Sequence, residues 1–406
     1  MQDQLTKFGC LLRAQRRFAS VTLKTPADSV SNASSMTPPR AKKPAPPGGN
    51  LAELRKRIDQ INLTLVDLLS ERAQIAQAIG HLKHADGAPI HQPAREREVL
   101  ERVTSHNPGP LTNAHLERIF GEIISACTAL EQTIRIAYLG PEHTYSHEAA
   151  RGRFGASATF APEPSIAAVF QAVEAERAHY GVVPVENSTE GSVGLTLDLL
   201  IDTPAVITGE VLLPIRHALM SRDGDPARIK RILTHQQSLG QCRNYLAANY
   251  PRCDLEAVAS NTLAAQRAAD DPDAAAICSV AAAPAYGLKI IAENIQDVAH
   301  NVTRFLVLGR APSGRSGRDK TSLLFALPER AGVLHGALSL FAREKINMTM
   351  IQSRPQRERP WAYLFFVDLE GYREDAGFKR ALKALERRAL FLKVLGSYPE
   401  GRLAGA

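Results

Sequence analysis

The sequence predicts a multidomain chain with an all-α domain, a two-lobed α/β domain and an α+β domain. Apolar residues repeat in heptads from residue 51, which predicts a long helix with a coiled-coil-like seam. Strand and helix patterns alternate between residues 134 and 310, as is typical of an α/β fold. Residues 320–400 follow a βαββαβ order, which predicts a ferredoxin-like fold. A chain of 406 residues is long enough for three separate cores.

The formal charge of +7 is concentrated at one end of the chain. Residues 1–50 contain eight Lys and Arg against two Asp, so the other residues are nearly neutral. The basic balance therefore does not indicate nucleic-acid binding by the folded domains. No apolar run approaches the roughly 18 residues that a membrane span needs, so we expect no membrane partner.

Residues 1–50 are predicted to form a disordered leader, because the segment 29–49 is rich in Ser, Ala, Pro and Lys. The Arg-rich, acid-poor segment 8–25 is compatible with an organelle transit peptide. The favoured alternative is a dispensable extension, with Met36 as a possible true start. The five cysteines are odd in number and scattered, which favours reduced intracellular thiols and a cytoplasmic protein.

The first helix has one anomalous seam position. One heptad row runs through Leu51, Ile58, Leu65, Arg72 and Ile79, so a charge stands among apolar residues. Lys83 follows three helical turns after Arg72 and projects from nearly the same side. One interpretation is a charge that sets the register of a helical dimer. The other is a cationic site for a dicarboxylate, built from Arg72 and Lys83 with Arg55 and Arg95.

Polar loops follow several strands of the α/β region. A Gly-Pro turn leads from the strand 134–139 into hydroxyl residues at a helix start, which is a common anion site. A second polar loop begins at Glu186-Asn187. Neither a dinucleotide fingerprint nor a Walker lysine follows a strand, so we expect no nucleotide cofactor. His143 and His147 lack an evident third ligand, so we expect no metal.

The motif Asn301-Val302-Thr303-Arg304-Phe305 opens the last strand of this region. A hydroxyl and a guanidinium at a strand mouth suit a small anionic ligand. By themselves the five residues fit equally well a β-forming threonine beside a solvated arginine.

Residues 51–132 resemble the all-helical chorismate mutase domain. The resemblance rests on Leu54-Arg55, Glu71-Arg72-Ala73, Lys83, the segment 89–96 and the segment 123–131. It implies an intertwined dimer in which Arg55 reaches the partner's pocket. Arg72 and Arg95 would bind substrate carboxylates, Lys83 would hydrogen-bond the ether oxygen, and Glu96 would hold the ring hydroxyl. Further implied pocket residues are Gln92, Cys127 and Glu131.

Two positions depart from that family's pattern. The family often has an acidic residue where Gln92 stands, and some members have Gln where Glu131 stands. A glutamate must be protonated to donate to the ether oxygen, so we expect mutase activity to favour mildly acidic pH. Gln132 is the alternative donor if the alignment shifts by one residue. The reaction, chorismate to prephenate, needs positioning and positive charge but no nucleophile.

Residues 134–310 resemble prephenate dehydratase. The ordered motifs are the segments 138–142, 181–188, 190–193, 235–242 and 301–305. The resemblance implies a periplasmic-binding-protein-like fold that converts prephenate to phenylpyruvate. Thr303 would donate to the leaving ring hydroxide. The implied pocket residues are Thr144, Glu186, Asn187, Ser188, Thr234, Gln241 and Arg304, the last of which could instead hold the strand end.

Residues 311–319 are predicted to form a flexible basic linker, and residues 320–400 resemble the phenylalanine-sensing ACT domain. The resemblance rests on Gly332-Val333-Leu334, Asn347 and Gln352-Ser353-Arg354-Pro355. It implies L-phenylalanine bound between paired ACT domains and a less active dehydratase. Typical members have Glu where Gln352 stands, which predicts altered feedback. The alternative is a purely structural dimer domain.

Together the three resemblances imply a bifunctional enzyme that binds chorismate, prephenate and L-phenylalanine and forms a homodimer or a higher homo-oligomer. Two rival hypotheses remain. In one, the cleft is a phenylalanine-responsive receptor without chemistry, which the Glu186-Asn187 and Thr303-Arg304 pairs disfavour. In the other, residues 51–132 are only a dimerisation bundle, which the charge at Arg72 disfavours.

Overall fold

The computed structural model describes residues 49–86, 92–355, 363–401 and 403. The predicted leader, except for residues 49–50, lies outside the described residues. No helix in the described ranges is long and apolar enough to cross a membrane.

Three helices form the N-terminal domain: α1 (Leu51–Asp86), α2 (Pro93–Ser105) and α3 (Asn113–Glu131). Their starts agree with the sequence signals. Pro93 occupies the first helical position, where its missing N–H has no partner to lose. The Thr112 side chain caps α3 by accepting from the His115 amide. The all-α character that the sequence predicts for this domain is therefore confirmed.

The long helix α1 leaves most of its seam exposed within one chain. Leu65, Leu68 and Ile75 are each half exposed or more. Apolar side chains gain free energy when they are buried, so the exposed seam of this 36-residue helix is suited to contact with another surface.

The first lobe of the α/β domain begins with eight elements. In chain order they are β1 (Arg135–Leu139), α4 (Tyr145–Phe154), β2 (Thr159–Glu163), α5 (Ile166–Glu174), β3 (Tyr180–Asn187), β4 (Gly191–Ser192), α6 (Gly194–Asp202) and β5 (Val206–Pro214).

The chain then forms the second lobe and returns. The elements are β6 (Ala218–Ser221), β7 (Arg231–His235), α7 (Gln236–Gln241), α8 (Arg243–Asn249), β8 (Asp254–Val258), α9 (Asn261–Asp270), β9 (Ala274–Cys278), α10 (Ala282–Tyr286), β10 (Lys289–Glu293) and β11 (Val302–Gly309). The strand β11 rejoins the first lobe.

Each lobe is built on its own sheet. The strand order is β2-β1-β3-β11-β5 in the first lobe, with β4 beside β3, and β10-β6-β9-β7-β8 in the second. The segments 215–217 and 294–301 cross between the lobes and are hydrogen-bonded to each other, Ile295 N to His217 O at 3.0 Å. These two crossing segments join the lobes, and the boundary between the lobes is where the sequence predicts a ligand cleft.

The C-terminal domain has the predicted βαββαβ order. Its elements are β12 (Asp319–Ala326), α11 (Val333–Arg343), β13 (Met348–Pro355), β14 (Tyr363–Glu370), α12 (Ala376–Glu386) and β15 (Phe391–Pro399). The sheet order is β13-β14-β12-β15, with every pair antiparallel. One face packs against the two helices through Leu323, Phe325 and Phe341. The other face packs against the first lobe, where Leu324, Phe366 and Tyr398 share a core with Leu306.

The linker before β12 is anchored, so the prediction of a flexible segment is wrong for its described conformation. Ser313 is buried and its hydroxyl donates to the Thr208 carbonyl at 2.6 Å. Tyr372 in turn donates to the Ser313 carbonyl at 3.0 Å. Gly and Ser allow flexibility, but here the tight packing of the two sheets fixes the chain that joins them.

Candidate active sites

Asn187 and Thr303 meet in the first lobe, close to its boundary with the second lobe. They are paired across neighbouring strands, Asn187 at the end of β3 and Thr303 near the start of β11. Asn187 Nδ2 donates to Thr303 Oγ1 at 2.9 Å. Thr303 is half-buried, and its hydroxyl donates no hydrogen bond to any of the described residues. Among the described residues, the Thr303 hydroxyl therefore keeps its proton available for a further acceptor.

A chain of amides extends this pair towards the second lobe. Asn187 Nδ2 also donates to Asn301 Oδ1 at 2.7 Å, and Asn301 Nδ2 donates to Gln241 Oε1 at 3.0 Å. Gln241 Nε2 donates to Glu190 Oε1 at 2.7 Å. Because a carboxylate only accepts, Glu190 fixes the orientation of the Gln241 amide and so of the whole chain.

His217 lies in the crossing segment between the lobes and joins the same network. Its Nε2 is 2.8 Å from Gln241 Oε1, and its Nδ1 is 2.9 Å from the Tyr145 hydroxyl. Since Gln241 Oε1 is an acceptor, the His217 proton must be on Nε2. Burial lowers the pKa of His217 below its ordinary value, although the hydrogen bond to Gln241 acts in the opposite direction.

Other predicted cleft residues have structural partners. Thr144 caps α4 and its hydroxyl is within reach of the Leu139 and Pro141 carbonyls. The Ser188 hydroxyl donates to the His300 carbonyl and accepts from the Val302 amide, which fastens the Glu186 loop to β11. Thr234 is fully buried, and its hydroxyl donates within the second lobe to Asn261 Oδ1 or the Ile277 carbonyl, both at 2.8 Å. The proton of Thr234 is thus already used.

Glu186 and Arg304 lie on the opposite face of the first sheet from Asn187 and Thr303. They are paired with each other across β3 and β11, one residue along from the Asn187–Thr303 pair, and neighbouring strand residues point to opposite faces. The structure therefore does not bring these two predicted pocket residues to the cleft. The guanidinium is buried against Glu210, Asp368 and Tyr398.

The helical domain brings four predicted mutase residues together between α1 and α3. Arg72 Nη1 donates to Cys127 Sγ at 2.8 Å. Lys83 Nζ is 3.4 Å from Glu131 Oε2. The helices approach closely at Gly80, where a Cβ would lie 2.7 Å from Glu131 Cγ. This glycine allows the lysine and the glutamate to meet.

The α2 residues are arranged differently. Arg95 pairs with Glu98 on the exposed side of its own helix. Gln92 stands at the N-cap position of α2. Glu96 pairs at 2.8 Å with Arg153 of α4, across the boundary to the next domain. Arg55 lies exposed near the start of α1.

The predicted regulatory residues divide into three groups. Gly332, at φ +77°, precedes α11, where Val333 and Leu334 form the first turn. Gln352 and Arg354 instead face the dehydratase-like lobe: Gln352 Oε1 accepts from Ser192 at 3.2 Å, and Arg354 pairs with Asp198 at 2.7 Å. The remaining two are Ser353, which is exposed on β13, and Asn347, which donates to Glu370.

Sequence reasoning missed Tyr145, Glu190 and His217 and did not assign a role to Asn301. Glu190 and Asn301 stand inside recognised motifs, so their position was available as a signal. His217 lies in an apolar stretch between two strands, and only the crossing of the chain between lobes brings it to Gln241.

Three family models match successive parts of the chain. Chorismate mutase type II matches residues 54–132, prephenate dehydratase matches residues 136–313 and the ACT domain matches residues 321–387. The order is the one that the motifs predict.

Curated relatives are similar to this chain over most of its length. The bifunctional chorismate mutase/prephenate dehydratase of Aquifex aeolicus is 44% identical over 357 residues, which is 87% of this chain and 99% of the relative. That of Neisseria gonorrhoeae is 45% identical over 348 residues, 85% of this chain and 96% of the relative. A solved prephenate dehydratase from Arthrobacter aurescens, in complex with L-Phe, is 34% identical with a TM-score of 0.61 and covers 66% of this chain and 90% of that one. This chain belongs to the family of bifunctional chorismate mutase/prephenate dehydratases, with a chorismate mutase domain, a prephenate dehydratase domain and an ACT domain.

Proposed function

We propose that this enzyme rearranges chorismate to prephenate in its helical domain and converts prephenate to phenylpyruvate in the cleft, with Thr303 as the hydrogen-bond donor to the leaving hydroxide. The observation that carries the second assignment is the bond from Asn187 Nδ2 to Thr303 Oγ1 at 2.9 Å. It occupies an acceptor lone pair of the threonine and leaves the Thr303 proton for the substrate.

In the dehydratase step, the ring carboxylate leaves as CO₂ and its C–C electron pair completes the aromatic ring. The C–O pair departs with the ring hydroxyl, which takes a proton to become water. A donor at that oxygen stabilises the charge that develops on it in the transition state. Asn301 and Gln241 keep Asn187 in place, so they are proposed to position the donor.

The test is the turnover of added prephenate by Thr303→Ala and Thr303→Ser. The alanine variant should lose dehydratase kcat by at least about 100-fold, in the range attributed to a positioned donor. The serine variant keeps the hydroxyl and should retain a measurable part of the activity. Thr159→Ala, at an exposed strand position, is the matched control. An alanine variant with near wild-type kcat would exclude Thr303 as the donor.

For the mutase site, we propose that Arg72 and Lys83 supply the positive charge at the substrate, with Cys127 and Glu131 beside them. The contacts of Arg72 with Cys127 and of Lys83 with Glu131 support this grouping. The proposed site would be completed by Gln92, Arg95 and Glu96 of α2. Arg55 is proposed to act in the site of a second copy, which the exposed seam of α1 supports.

We also propose that L-phenylalanine binds the ACT domain and lowers dehydratase activity. The solved relative from Arthrobacter aurescens, by its description a complex with L-Phe, supports this. Gln352 and Arg354 contact the dehydratase domain, so ligand binding near β13 could be transmitted there. Millimolar L-phenylalanine should slow dehydration and raise the melting temperature. If neither changes, the domain is structural.

A cytoplasmic location is proposed on the state of the thiols. The four cysteines in the described ranges are free. Burial raises the pKa of Cys242 and of Cys278 to about 12, so neither readily forms the thiolate that disulfide exchange requires.

A further inference from the structure

The strand that carries Thr303 is attached on its other face to the ACT domain. Arg304 follows Thr303 on β11, and the Arg304 guanidinium is buried beneath the first sheet. Its Nε donates to Glu210 Oε2 at 2.6 Å, its Nη1 is 2.5 Å from Asp368 Oδ2, and its Nη2 donates to the Tyr398 hydroxyl at 3.0 Å. All three guanidinium nitrogens are therefore used within the protein.

The partners of Arg304 come from two domains. Glu210 lies on β5 of the dehydratase domain, whereas Asp368 and Tyr398 lie on β14 and β15 of the ACT sheet. Glu210 also accepts from Lys320 of β12 at 2.8 Å. Two cations and two buried carboxylates thus form a neutral cluster. Its ion pairs Arg304–Asp368 and Lys320–Glu210 cross the domain boundary, whereas Arg304–Glu210 lies within the dehydratase domain.

The cluster is isolated from solvent and tightly connected. Lys320 is the most exposed member, at 9%. The Ser322 hydroxyl lies 2.5 Å from Asp368 Oδ1 and 2.6 Å from the Tyr398 hydroxyl, so the ACT side is itself cross-linked. Buried charges of this kind are geometrically demanding, because each loses its hydration and depends on its partner. Moving Asp368 would leave Arg304 and Lys320 to share the buried carboxylate of Glu210, so the interior would contain an excess of positive charge.

The ACT sheet and the first-lobe sheet approach each other closely at this boundary. A Cβ at Gly396 of β15 would lie 2.1 Å from the Ile207 carbonyl oxygen of β5. The ACT sheet therefore follows the backbone of β5, which is itself paired with β11 from residue 302 to residue 309.

We propose that Arg304 is a positioning residue rather than a substrate ligand, and that the ACT domain, through Asp368, holds Thr303 in its donating position. The proposal rests on the proposed role of Thr303. Its consequence is that dehydratase turnover depends on a carboxylate in a different domain, while the mutase reaction does not.

The test is Asp368→Asn in the full chain, with both activities measured on the same preparation. We expect dehydratase kcat to fall at least 10-fold, the KM for prephenate to change less than 3-fold and mutase kcat to stay within 2-fold of wild type. Glu374→Gln, an exposed ACT carboxylate paired with Lys379, is the matched control and should leave all three unchanged.

Ser322→Ala provides a milder variant if Asp368→Asn does not fold, and it should lower dehydratase kcat several-fold by loosening Asp368. Wild-type dehydratase kcat in a folded Asp368→Asn or Ser322→Ala variant would overturn the proposal. A 10-fold rise in the KM for prephenate without a change in kcat would also overturn it, because that result indicates a substrate-binding role. These outcomes are separate from a failure of the Thr303 assignment, which an active Thr303→Ala variant would reveal.

Discussion

Glu131 is the residue on which the pH dependence of the mutase reaction should turn. Its carboxylate lies 3.4 Å from Lys83 Nζ, at the place where both helices approach at Gly80. A carboxylate can accept from the lysine but cannot donate to an ether oxygen. If Glu131 acts as a donor it must first take up a proton, so activity should increase towards mildly acidic pH.

The substitution Glu131→Gln separates these possibilities. A glutamine amide donates at every pH, so the variant should retain mutase activity and show a flat rate between pH 5 and 8. The wild type should be faster at pH 5 than at pH 8. Initial rates of chorismate loss across that range provide the measurement. Equally steep profiles for both proteins would show that Glu131 is not the titrating donor.

His217 predicts how stability depends on pH. Burial lowers the pKa of His217 below 6.5, so the unfolded chain binds a proton that the folded chain rejects. Above about pH 6.5 His217 is neutral in both states and does not change the free energy of unfolding. Below that pH the free energy of unfolding falls, by at most about 1.4 kcal/mol per pH unit.

The apparent thermal midpoint of the wild type should consequently fall between pH 7 and pH 5. His217→Gln cannot titrate and should show a smaller fall, although its midpoint at pH 7 is lower because the contact with Tyr145 is lost. The control is His106→Gln, an exposed position that should follow the wild-type curve. A variant as pH-sensitive as the wild type would exclude His217 as a cause.

At the residue scale, the motifs pointed to Asn187 and Thr303, but they did not show on which face of the sheet each motif residue lies. Asn187 and Thr303 stand in recognisable segments, and the structure joins them. Their neighbours Glu186 and Arg304 were assigned to the same pocket, because a motif does not show which strand residues point inward. That depends on strand register and on the irregularity between Arg304 and Phe305.

At the scale of elements, helix α1 is the clearest case of a segment that is incomplete in one chain. Its apolar seam predicts a partner, and each large side chain buried there would contribute about 1.5–3 kcal/mol. Leu68 is 56% exposed in the single chain.

The variant Leu68→Lys should therefore shift the protein from dimer to monomer in light scattering and lower mutase activity by more than 10-fold. Dehydratase activity with added prephenate should persist. Gln77→Lys, on the side of α1 away from the seam, is the control and should leave the mass unchanged. A fully dimeric Leu68→Lys variant with normal mutase activity would contradict the assignment of the seam as the interface.

Long periodic segments were predictable as elements, whereas short ones were not. The heptad pattern from residue 51 predicted the long helix α1. The strand β6 and the helix α9 were missed, since four residues carry little periodicity and an alanine-rich helix lacks a strong apolar face. The linker 311–319 was predicted to be flexible from its Gly and Ser content. Composition does not show that the two flanking sheets pack together and fix the segment that joins them.

At the scale of the whole molecule, the order of three domains was available from motifs, and the family models match in the same order. The contacts between the domains could not be predicted from the motifs. The ion pair between Glu96 and Arg153 and the cluster around Arg304 join residues from different domains. The sequence does not show which charges are paired across a domain boundary, so only the folded chain reveals these partners.

We propose that one chain performs two reactions at separate sites, the second of which depends on the Thr303 hydroxyl. The most direct measurement is to supply chorismate to the full-length Thr303→Ala variant and to follow chorismate, prephenate and phenylpyruvate together. We expect chorismate to disappear at the wild-type rate, prephenate to accumulate in equal amount and phenylpyruvate not to form. Continued enzymatic production of phenylpyruvate, or a parallel loss of chorismate turnover, would contradict it.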